Sequence, residues 1–271
     1  MPVLVRTWNL FHGNAAPPGR SRRLREMMEL ATADAPDVLC LQEVPPAALG
    51  AIGSWTGMTV VGDVARRPSL GPLPLTVEAG ELLTRPWPGR LRSFFAGQAN
   101  AVLLSARVRL LDRSALTVND AQFRRVQSRW LGLPAVARLA WAREPRVCQA
   151  VRVALPDGRA VVVGNLHATV YPPDKRLADA EVLRAAVFLD ALAEPDDVCI
   201  LAGDLNVKPA ASWNLRELTR PVWGFEGTGP SVDHVLVRGA EASPTVRWPR
   251  ERRVVAGELL SDHAPVERTL A

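Results

Sequence analysis

Val198-Cys199-Ile200-Leu201-Ala202-Gly203-Asp204-Leu205-Asn206 is the stretch of sequence that decides the fold. Five apolar residues lead directly into a glycine, an aspartate and an asparagine. An apolar run of this length, rich in β-formers, predicts a buried strand. Polar side chains at the end of such a strand cost free energy unless other groups pair with them. The stretch therefore predicts a strand with a polar site at its carboxyl end.

Five other segments place polar residues beside short apolar runs in the same way. They are Thr7-Trp8-Asn9, Leu41-Gln42-Glu43-Val44, Gly164-Asn165-Leu166-His167, Ser231-Val232-Asp233-His234 and Ser261-Asp262-His263-Ala264-Pro265. Because polar groups in such places need partners, we expect all six segments to meet in one polar site at one end of a sheet.

The length suits one large α/β domain or two small ones, and we predict a single domain spanning residues 1–271. The chain has 271 residues, 48% of them hydrophobic and 23% charged, which is ordinary for a globular protein. A chain of this length buries enough surface to fold without disulfide bonds. The three cysteines, Cys40, Cys148 and Cys199, lie in apolar runs without CxxC spacing. We therefore expect buried thiols rather than a metal site made of cysteines.

The start of the chain and its hydropathy favour a cytoplasmic protein. The sequence enters an apolar strand at Val3-Leu4-Val5 without the pattern of a secretory signal. No apolar run is long enough to span a bilayer. We therefore predict a cytoplasmic location and no membrane span, and the sequence indicates no protein partner.

Basic residues are concentrated in the middle of the chain. The net charge is +5, and residues 85–146 hold 12 arginines against three acidic residues, a net of +9. A basic segment beside an acidic site suits an enzyme that binds phosphodiesters. The alternative interpretation is a solvated, arginine-rich surface.

Strands and helices alternate along the chain, which predicts two mixed sheets packed face to face with helices outside. Strands are predicted at 3–8, 38–41, 101–104, 148–154, 159–166, 198–202, 232–237 and 254–260. Helices are predicted at 21–32, after Pro45-Pro46, from an Asn119 cap to about residue 131, and from an Asp174 cap to about residue 193. The Asn119 helix would bury Phe123, Val126 and Trp130. The stretch 56–96, rich in glycine and proline, is predicted to hold twisted strands and loops.

The polar residues at the strand ends suit metal-assisted hydrolysis. Glu43 ends a buried strand, and Asn9, Asp204, Asn206 and Asp262 could join it around one cation. Carboxylate and amide oxygens without cysteine favour Mg²⁺ or Mn²⁺ over Zn²⁺. His167 and His263 carry imidazole, the side-chain group whose unperturbed titration lies nearest neutral pH, and Asp233 could orient one of them. These groups together indicate hydrolysis of a phosphate ester by an activated water.

The ordered set Thr7-Trp8-Asn9, Leu41-Gln42-Glu43, Gly203-Asp204-Leu205-Asn206 and Ser261-Asp262-His263 resembles the endonuclease/exonuclease/phosphatase superfamily. That superfamily includes deoxyribonuclease I, apurinic endonucleases of the exonuclease III type, neutral sphingomyelinases, inositol polyphosphate phosphatases and tyrosyl-DNA phosphodiesterases. The resemblance covers residues 3–267. It implies a deoxyribonuclease I-like α/β fold, a four-layer sandwich of two mixed sheets flanked by helices, and a divalent-metal-dependent activity.

The resemblance also implies a role for each matching residue. Metal binding is implied for Glu43, Asn9 and Asp262. Catalytic roles are implied for Asp204, which orients or deprotonates water, for Asn206 and His263, which contact the phosphate, for Asp233, which hydrogen-bonds His263, and for His167, a second histidine. For substrate binding we predict Arg143, Asn100 and His12.

Two departures from the family pattern weigh against a specialist for abasic sites. Many apurinic endonucleases carry an aspartate where this chain has Phe11, and a tyrosine where it has Gln98 and Asn100. The only tyrosine is Tyr171. His167 instead resembles the deoxyribonuclease and sphingomyelinase branches.

The function predicted from the sequence is a Mg²⁺- or Mn²⁺-dependent phosphodiesterase whose substrate is a nucleic acid, DNA or RNA. One alternative is a phosphodiesterase or phosphatase for a lipid headgroup or a small phosphate ester. Another is a non-catalytic binding module with the same fold. A cleft lined by the 85–146 segment would favour nucleic acid, and a narrow apolar rim would favour a lipid or small ester. Trp87, Trp130 and Trp141 could stack on bases or belong to the core.

Overall fold

Two mixed β-sheets stacked face to face form the centre of the structure, a computed structural model that describes residues 2–19, 21–71, 73–84, 86 and 95–271. The strands are β1 (Val3–Asn9), β2 (Val38–Val44), β3 (Thr59–Arg66), β4 (Ser69–Leu70), β5 (Leu73–Pro74), β6 (Gln98–Leu104), β7 (Arg109–Thr117), β8 (Val147–Ala154), β9 (Ala160–His167), β10 (Val198–Asp204), β11 (Asp233–Arg238), β12 (Val246–Arg247), β13 (Val254–Val255), β14 (Glu258–Leu259) and β15 (Val266–Leu270).

The first sheet has the strand order β12-β15-β1-β2-β6-β3, and the second has the order β11-β10-β9-β8-β7. The pairs β1–β2 and β9–β10 are parallel, and the other neighbours are antiparallel. The carboxyl ends of the two parallel pairs carry Asn9, Glu43, His167 and Asp204.

The described α-helices are α1 (Leu24–Thr32), α2 (Leu49–Thr56), α3 (Val77–Thr84), α4 (Ala121–Trp130), α5 (Ala135–Ala142), α6 (Arg176–Leu192) and α7 (Trp213–Leu218). Short 3₁₀ turns lie at Phe11–Gly13, Pro46–Ala48, Pro209–Ala211 and Glu251–Arg253.

Three large apolar clusters separate four layers. One cluster, which includes Val5, Val102, Val151 and Ile200, fills the space between the sheets. A second packs the first sheet against α1 and α2, and a third packs the second sheet against α6 and α7. The predicted four-layer sandwich of two mixed sheets flanked by helices is thus confirmed.

A buried polar network also joins the two sheets. Gln42 of β2 donates from Nε2 to Oδ1 of Asn165 on β9 at 2.7 Å. Asn165 in turn donates to the carbonyl oxygens of Leu41 and Ala101, both at 3.0 Å. Two polar residues from the strand-end segments therefore fix the stacking of the sheets, because a buried amide must satisfy its hydrogen bonds.

Arg6 forms a second buried polar cluster at the first sheet. Its side chain is fully buried and pairs with Asp34 at 2.6 Å and with Glu267 at 2.5 Å. Its guanidinium lies 4.5 Å from the ring centroid of Trp248. The cluster ties β1 to β15 and to the end of α1.

Most predicted elements are confirmed, with shifts of a few residues at their ends. Helix α1 begins three residues late but buries its predicted face, Leu24, Met27, Met28 and Ala31. The three cysteines are free and buried, as predicted.

Two predictions around α4 were wrong. The cap of this helix is Asp120, whose carboxylate accepts from the backbone N–H groups of Gln122 and Phe123. Asn119 is instead buried in the loop, where it accepts from the N–H of Arg146. Of the predicted apolar face only Phe123 is partly buried, and Val126 and Trp130 are exposed.

The remaining differences involve short or polar elements. Residues 254–260 form the tight ribbon β13–β14 rather than one strand, because Ala256 and Gly257 at its turn both have positive φ. Helix α3 lies in the stretch predicted to hold only strands and loops. Strands β7, β12 and β15 and helices α5 and α7 were not predicted. Trp87 and three arginines of the basic segment lie outside the described residues. Within the described residues, no helix is long and apolar enough to cross a membrane.

Candidate active site

Six segments distant in sequence meet at the end of the sheets where β1, β2, β9 and β10 terminate. Asp204 pairs in register with Asp233 across the antiparallel β10–β11 ladder and with His167 across the parallel β9–β10 ladder. Asn9 and Glu43 lie at the corresponding ends of β1 and β2 in the other sheet. His263 reaches the site from the loop before β15.

Asn9 joins the two sheets at the site. Its Nδ2 atom lies 3.2 Å from Oε1 of Glu43 and 3.0 Å from Oδ2 of Asp204. Its Oδ1 accepts from the N–H of Phe11 at 3.0 Å, which fixes the orientation of the amide. One side chain therefore holds two carboxylates from opposite sheets close together.

Glu43 is held ionised by its neighbours. Burial raises the pKa of its carboxyl, but the charge and hydrogen bond of His12 and the hydrogen bond from Asn9 outweigh burial and hold the pKa well below its usual range. The Nε2 atom of His12 lies 3.0 Å from Oε2 of Glu43. Glu43 therefore offers an anionic oxygen pair at the edge of the sheet.

Asp204 has the opposite electrostatic setting. Burial, and next the like charge of Asp233, raise the pKa of the Asp204 carboxyl above its usual range, while the charge of His263 opposes that shift. Only 1% of the residue is exposed. A carboxylate whose pKa is raised in this way is a stronger base than an exposed aspartate.

His263 is paired with Asp233. Its Nδ1 lies 2.9 Å from Oδ1 of Asp233, and its Nε2 lies 3.7 Å from Oδ2 of Asp204. Burial lowers the pKa of this imidazole, but the Asp233 hydrogen bond and the charges of Asp204, Asp233 and Asp262 together raise it to about 10. His263 is therefore a cation at neutral pH. Its carbonyl oxygen accepts from Nε1 of Trp8 at 3.0 Å, which fixes the loop.

His167 is neutral, in contrast to His263. Burial, and next the charge of Arg146, lower the pKa of its imidazole well below 6.5. Its Nε2 lies 3.7 Å from oxygens of both Glu43 and Asp204. Arg146, itself buried, approaches the ring at 3.1 Å and pairs with Glu144 at 2.9 Å. The positive charge beside His167 therefore belongs to Arg146.

Strained backbone is concentrated at the site. Seven described non-glycine residues have positive φ, and five of them belong to the segments that form the site: Phe11, His12, Glu43, Asn206 and Ser261. Such conformations persist only where surrounding contacts impose them, and they cluster at functional sites. Gly203, at φ 138°, allows β10 to pass the carbonyl oxygen of Leu166, which a Cβ atom would strike.

A cleft of about 250 Å³ opens beside Glu43 and His167. Its other lining residues are mainly polar or basic: Arg66, Gln98, Ala140, Arg143, Glu144, Arg146, Thr169 and Val170. The Nε of Arg146 is buried without a hydrogen-bond partner among the described residues. The cleft thus has an acidic inner end and a basic wall.

A second depression of about 360 Å³ lies on the other side of His263. Asp233, Asp262 and His263 line it together with Lys208 and Arg247. Cationic side chains therefore flank the acidic centre on both sides.

The donor set fits a hard divalent cation. The carboxylates of Glu43 and Asp204 converge on Nδ2 of Asn9, and none of the three cysteines lies in the site. Oxygen donors of this kind suit Mg²⁺ or Mn²⁺. Asp204, Asp233 and His263 also place one ligand atom each within 4.8 Å of one another. We regard this trio as a hydrogen-bonded base and imidazole pair, because Asp233 already occupies Nδ1 of His263.

The structure brings together most of the residues predicted from the sequence. Asn206 lies beside Asp204, where its backbone N–H donates to Oδ1 of Asp204 at 3.1 Å and its amide donates to the carbonyl of Ala168. Arg143 lines the cleft. Asp262 lies in the second depression beside Lys208 rather than between Glu43 and Asn9.

Two residues predicted to bind substrate occupy different places. His12 is buried against Glu43 instead of lining the cleft. Asn100 lies two residues after Gln98, on the same face of β6. Its amide donates to the carbonyl of Val147 at 2.9 Å. Gln98, and not Asn100, lines the cleft. His234 is buried and structural, with Nε2 3.0 Å from the carbonyl of Val207.

The sequence interpretation assigned no role to Arg66, Gln98 or Lys208. It considered Arg146, with Arg143, as a phosphate contact or an ordinary surface residue. One pattern could have indicated Lys208, which follows Asn206 by two residues.

The Endonuclease/Exonuclease/phosphatase family model matches residues 7–263. The chain therefore belongs to this family, a superfamily of phosphoester hydrolases, and has the deoxyribonuclease I-like fold. A comparison with curated proteins found no significant match.

Solved structures with similar folds share little sequence with this chain. A conserved protein of unknown function from Enterococcus faecalis has a TM-score of 0.66 at 14% identity, over 99% of both chains. Humanized Danio rerio TDP2 has a TM-score of 0.62 at 14% identity, over 100% of this chain and 99% of its own. An endonuclease/exonuclease/phosphatase from Beutenbergia cavernae has a TM-score of 0.66 at 17% identity, over 99% of this chain and 71% of its own. At these identities the likeness establishes the fold alone.

Proposed function

We propose that this protein is a divalent-metal-dependent phosphodiesterase that hydrolyses nucleic acid, and that residues 1–271 act as one domain. Membership of the family supplies the reaction class, hydrolysis of a phosphoester. The contacts of the site support the finer assignments.

The observation that carries the proposal is the bridge made by Asn9. It holds Glu43 of one sheet and Asp204 of the other at 3.2 Å and 3.0 Å from the same nitrogen. Two buried carboxylates this close repel each other unless a positive charge compensates. Glu43 is therefore the residue that would hold a cation. Asn9, whose Oδ1 accepts from the N–H of Phe11, and Asp262 are further candidates from the sequence.

The chain's own groups divide the remaining chemistry. Asp204, whose pKa is raised, would take the proton from the attacking water. The cationic His263, the neutral His167 and the amide of Asn206 would stabilise charge on the phosphate oxygens. Asp233 would keep His263 protonated and oriented. A bound Mg²⁺ or Mn²⁺ would neutralise phosphate charge and polarise the bond to be broken.

The basic wall of the cleft favours nucleic acid over a lipid headgroup. Arg66, Arg143 and Arg146 line the cleft next to Glu43, and the last two belong to the basic segment identified in the sequence. Phosphates on successive nucleotides would bind the arginines of the cleft on one side of His263, and Lys208 and Arg247 in the second depression on the other side. A phosphocholine headgroup such as that of sphingomyelin offers one phosphate, and it would leave the basic residues on one side of His263 without a phosphate to bind.

A substrate panel tests the proposal. Plasmid, single-stranded DNA, RNA, an abasic duplex, sphingomyelin, inositol phosphates and bis(p-nitrophenyl) phosphate would each be incubated with Mg²⁺, Mn²⁺ or chelator. We expect metal-dependent cleavage of nucleic acid and of the reporter, lost by at least ~10²-fold in Asp204→Asn and His263→Ala. The exposed Asp112→Asn serves as the matched control, with unchanged rates.

Three results would contradict parts of this proposal. Preferred hydrolysis of sphingomyelin or inositol phosphates would reject nucleic acid as substrate. Full activity in chelator would reject the metal. Near-normal rates in both site variants would reject the assignment of the site. The predicted cytoplasmic location would be tested separately by cell fractionation.

A further inference from the structure

A groove with two exposed tryptophans lies outside the candidate active site. Helices α4, α6 and α7 enclose a volume of about 530 Å³. Its lining residues are mostly apolar, with a few amide and charged groups: Val126, Gln127, Trp130, Leu131, Arg176, Asp179, Ala180, Leu183, Trp213 and Asn214. None of these residues has a role in the hydrolysis proposed above.

The two indoles are unusually open to solvent. Trp130 is 80% exposed and Trp213 is 63% exposed, and both line the same groove. Val126 beside them is 61% exposed. Large apolar side chains that are exposed next to one another, rather than singly, form a candidate binding surface.

The groove lies at the same end of the second sheet as the active site. Helix α6 begins nine residues after His167, and α7 begins nine residues after Asp204, so their first turns follow the strand ends that carry the site. Arg176, Trp213 and Asn214 belong to those first turns. Helix α5 and the residues after it reach the cleft through Ala140 and Arg143.

The surface around the groove is cationic on its α4 side, and Asp179 in the lining accepts hydrogen bonds from Ser212 and Asn214. No acidic residue occurs between Ala121 and Ala142, which contain four arginines. Arg125 and Arg129 on α4 are exposed, and neither forms an ion pair with a described residue. The guanidinium of Arg216 lies 5.9 Å from the ring centroid of Trp213. A polyanion is the ligand that complements this charge.

We propose that the groove binds unpaired nucleobases of the substrate strand by stacking on Trp130 and Trp213, while Arg125 and Arg129 contact the backbone phosphates. This inference rests on the proposed function and narrows its substrate to nucleic acid with a single-stranded portion. Stacking needs an unpaired base, since the bases of a duplex already stack on one another. Gln127 adds an amide group that can bond to base edges, and Asn214, whose Nδ2 donates to the carbonyl of Asp179 at 3.0 Å, adds an amide oxygen. A bilayer would satisfy the apolar groups of the groove but not these amides.

Binding is tested by fluorescence anisotropy with a labelled oligonucleotide of roughly 12 nucleotides, within the usual site size for single strands. Asp204→Asn would be used as background to prevent cleavage. We expect Trp130→Ala and Trp213→Ala each to weaken binding at least roughly fivefold, the lower limit for losing one base–aromatic stack. Trp130→Phe should retain most of the affinity, because it keeps an aromatic face. Val187→Ala, a half-exposed apolar position on α6 outside the groove, is the matched control and should not change the affinity.

Kinetics separate this inference from the proposed function. In the active enzyme, Trp130→Ala should lower kcat/KM for the oligonucleotide and leave bis(p-nitrophenyl) phosphate hydrolysis unchanged, since the reporter is too small to reach both sites. If the wild type hydrolyses neither the oligonucleotide nor bis(p-nitrophenyl) phosphate, the proposed function is rejected. Wild-type hydrolysis with equal oligonucleotide affinity and rates in the tryptophan variants would overturn the groove proposal alone.

Two other results, each pointing to a different ligand of the groove, would also overturn the groove proposal. Sedimentation of the wild type with phosphatidylserine vesicles, lost in Trp130→Ala, would assign the groove to an anionic membrane. A concentration-dependent dimer in analytical ultracentrifugation, lost in the same variant, would assign it to a second copy of this chain.

Discussion

Replacing Asp233 with Asn removes the charge that keeps His263 protonated. The pKa of His263 is raised from 6.5 to about 10, which corresponds to on the order of 5 kcal/mol in favour of the imidazolium. Asp233 contributes to this both by its hydrogen bond at 2.9 Å and by its charge. Because one opposite charge at this distance shifts a pKa by roughly 1 to 3 pH units, the titration midpoint should fall by that amount in Asp233→Asn.

The assay is an NMR titration of the imidazole signals in metal-free protein, combined with steady-state kinetics. The kcat of Asp233→Asn should fall about 10²-fold. If the two residues act as one unit, Asp233→Asn combined with His263→Asn should be no slower than His263→Asn alone. A wild-type His263 that titrates near 6.5, or losses in kcat that add fully in the double variant, would refute the reasoning.

The same pair predicts how stability depends on pH. Since the folded pKa of His263 lies above its unfolded value, the pair stabilises the fold fully below about pH 6.5 and loses that contribution as pH rises toward 10. The Tm difference between wild type and Asp233→Asn should therefore be larger at pH 6 than at pH 10. An equal difference at both pH values would contradict the assigned ionisation.

Three further substitutions test the supports of the site by urea unfolding. Gly203→Ala should destabilise the fold by roughly 1–3 kcal/mol because of strain, and should lower activity, since the new Cβ strikes the Leu166 carbonyl. The control Gly50→Ala, whose Cβ meets no atom within 4 Å, should be tolerated. Equal stability of the two variants would contradict this. Glu181→Gln should lower the free energy of unfolding by about 1–3 kcal/mol. The buried carboxylate accepts one hydrogen bond from Trp141 and two from Thr169, all at 2.6 Å, whereas an amide has only one acceptor oxygen. Unchanged stability would argue against that network. Arg6→Met should lower the free energy of unfolding by about 3 kcal/mol or more, because it leaves Glu267 without its closest partner. Unchanged stability would mean that hydrophobic packing replaces the ion pair.

The strand-end pattern was enough to predict the core of the site, because buried polar groups at parallel strand ends have few places to find partners. Asn9, Glu43, His167, Asp204, Asp233 and His263 are linked by contacts of 2.9 to 3.7 Å. The same pattern could not separate site residues from those that join the sheets. Gln42 and Asn165 have the same sequence setting, but they face the sheet interface instead.

Elements at the margins of the fold were harder to predict for physical reasons. Strand β7 is an edge strand with charged residues on an exposed face, so its sequence lacks a clear alternation. Trp130 and Val126 fit the apolar face of a helix, but nothing in sequence periodicity shows whether a core or a ligand covers that face. The contact of Arg146 with His167 could not be predicted, because only the packing of β8 beside β9 creates this buried approach.

Anomalous diffraction from crystals soaked in Mn²⁺ tests the central claim most directly, since it locates the ion without relying on turnover. The account predicts one strong peak with Glu43 as a direct ligand, next to Asn9 and Asp204, and loss of that peak in Glu43→Gln. A peak held instead by Asp233 and His263, or one that persists in Glu43→Gln, would contradict it.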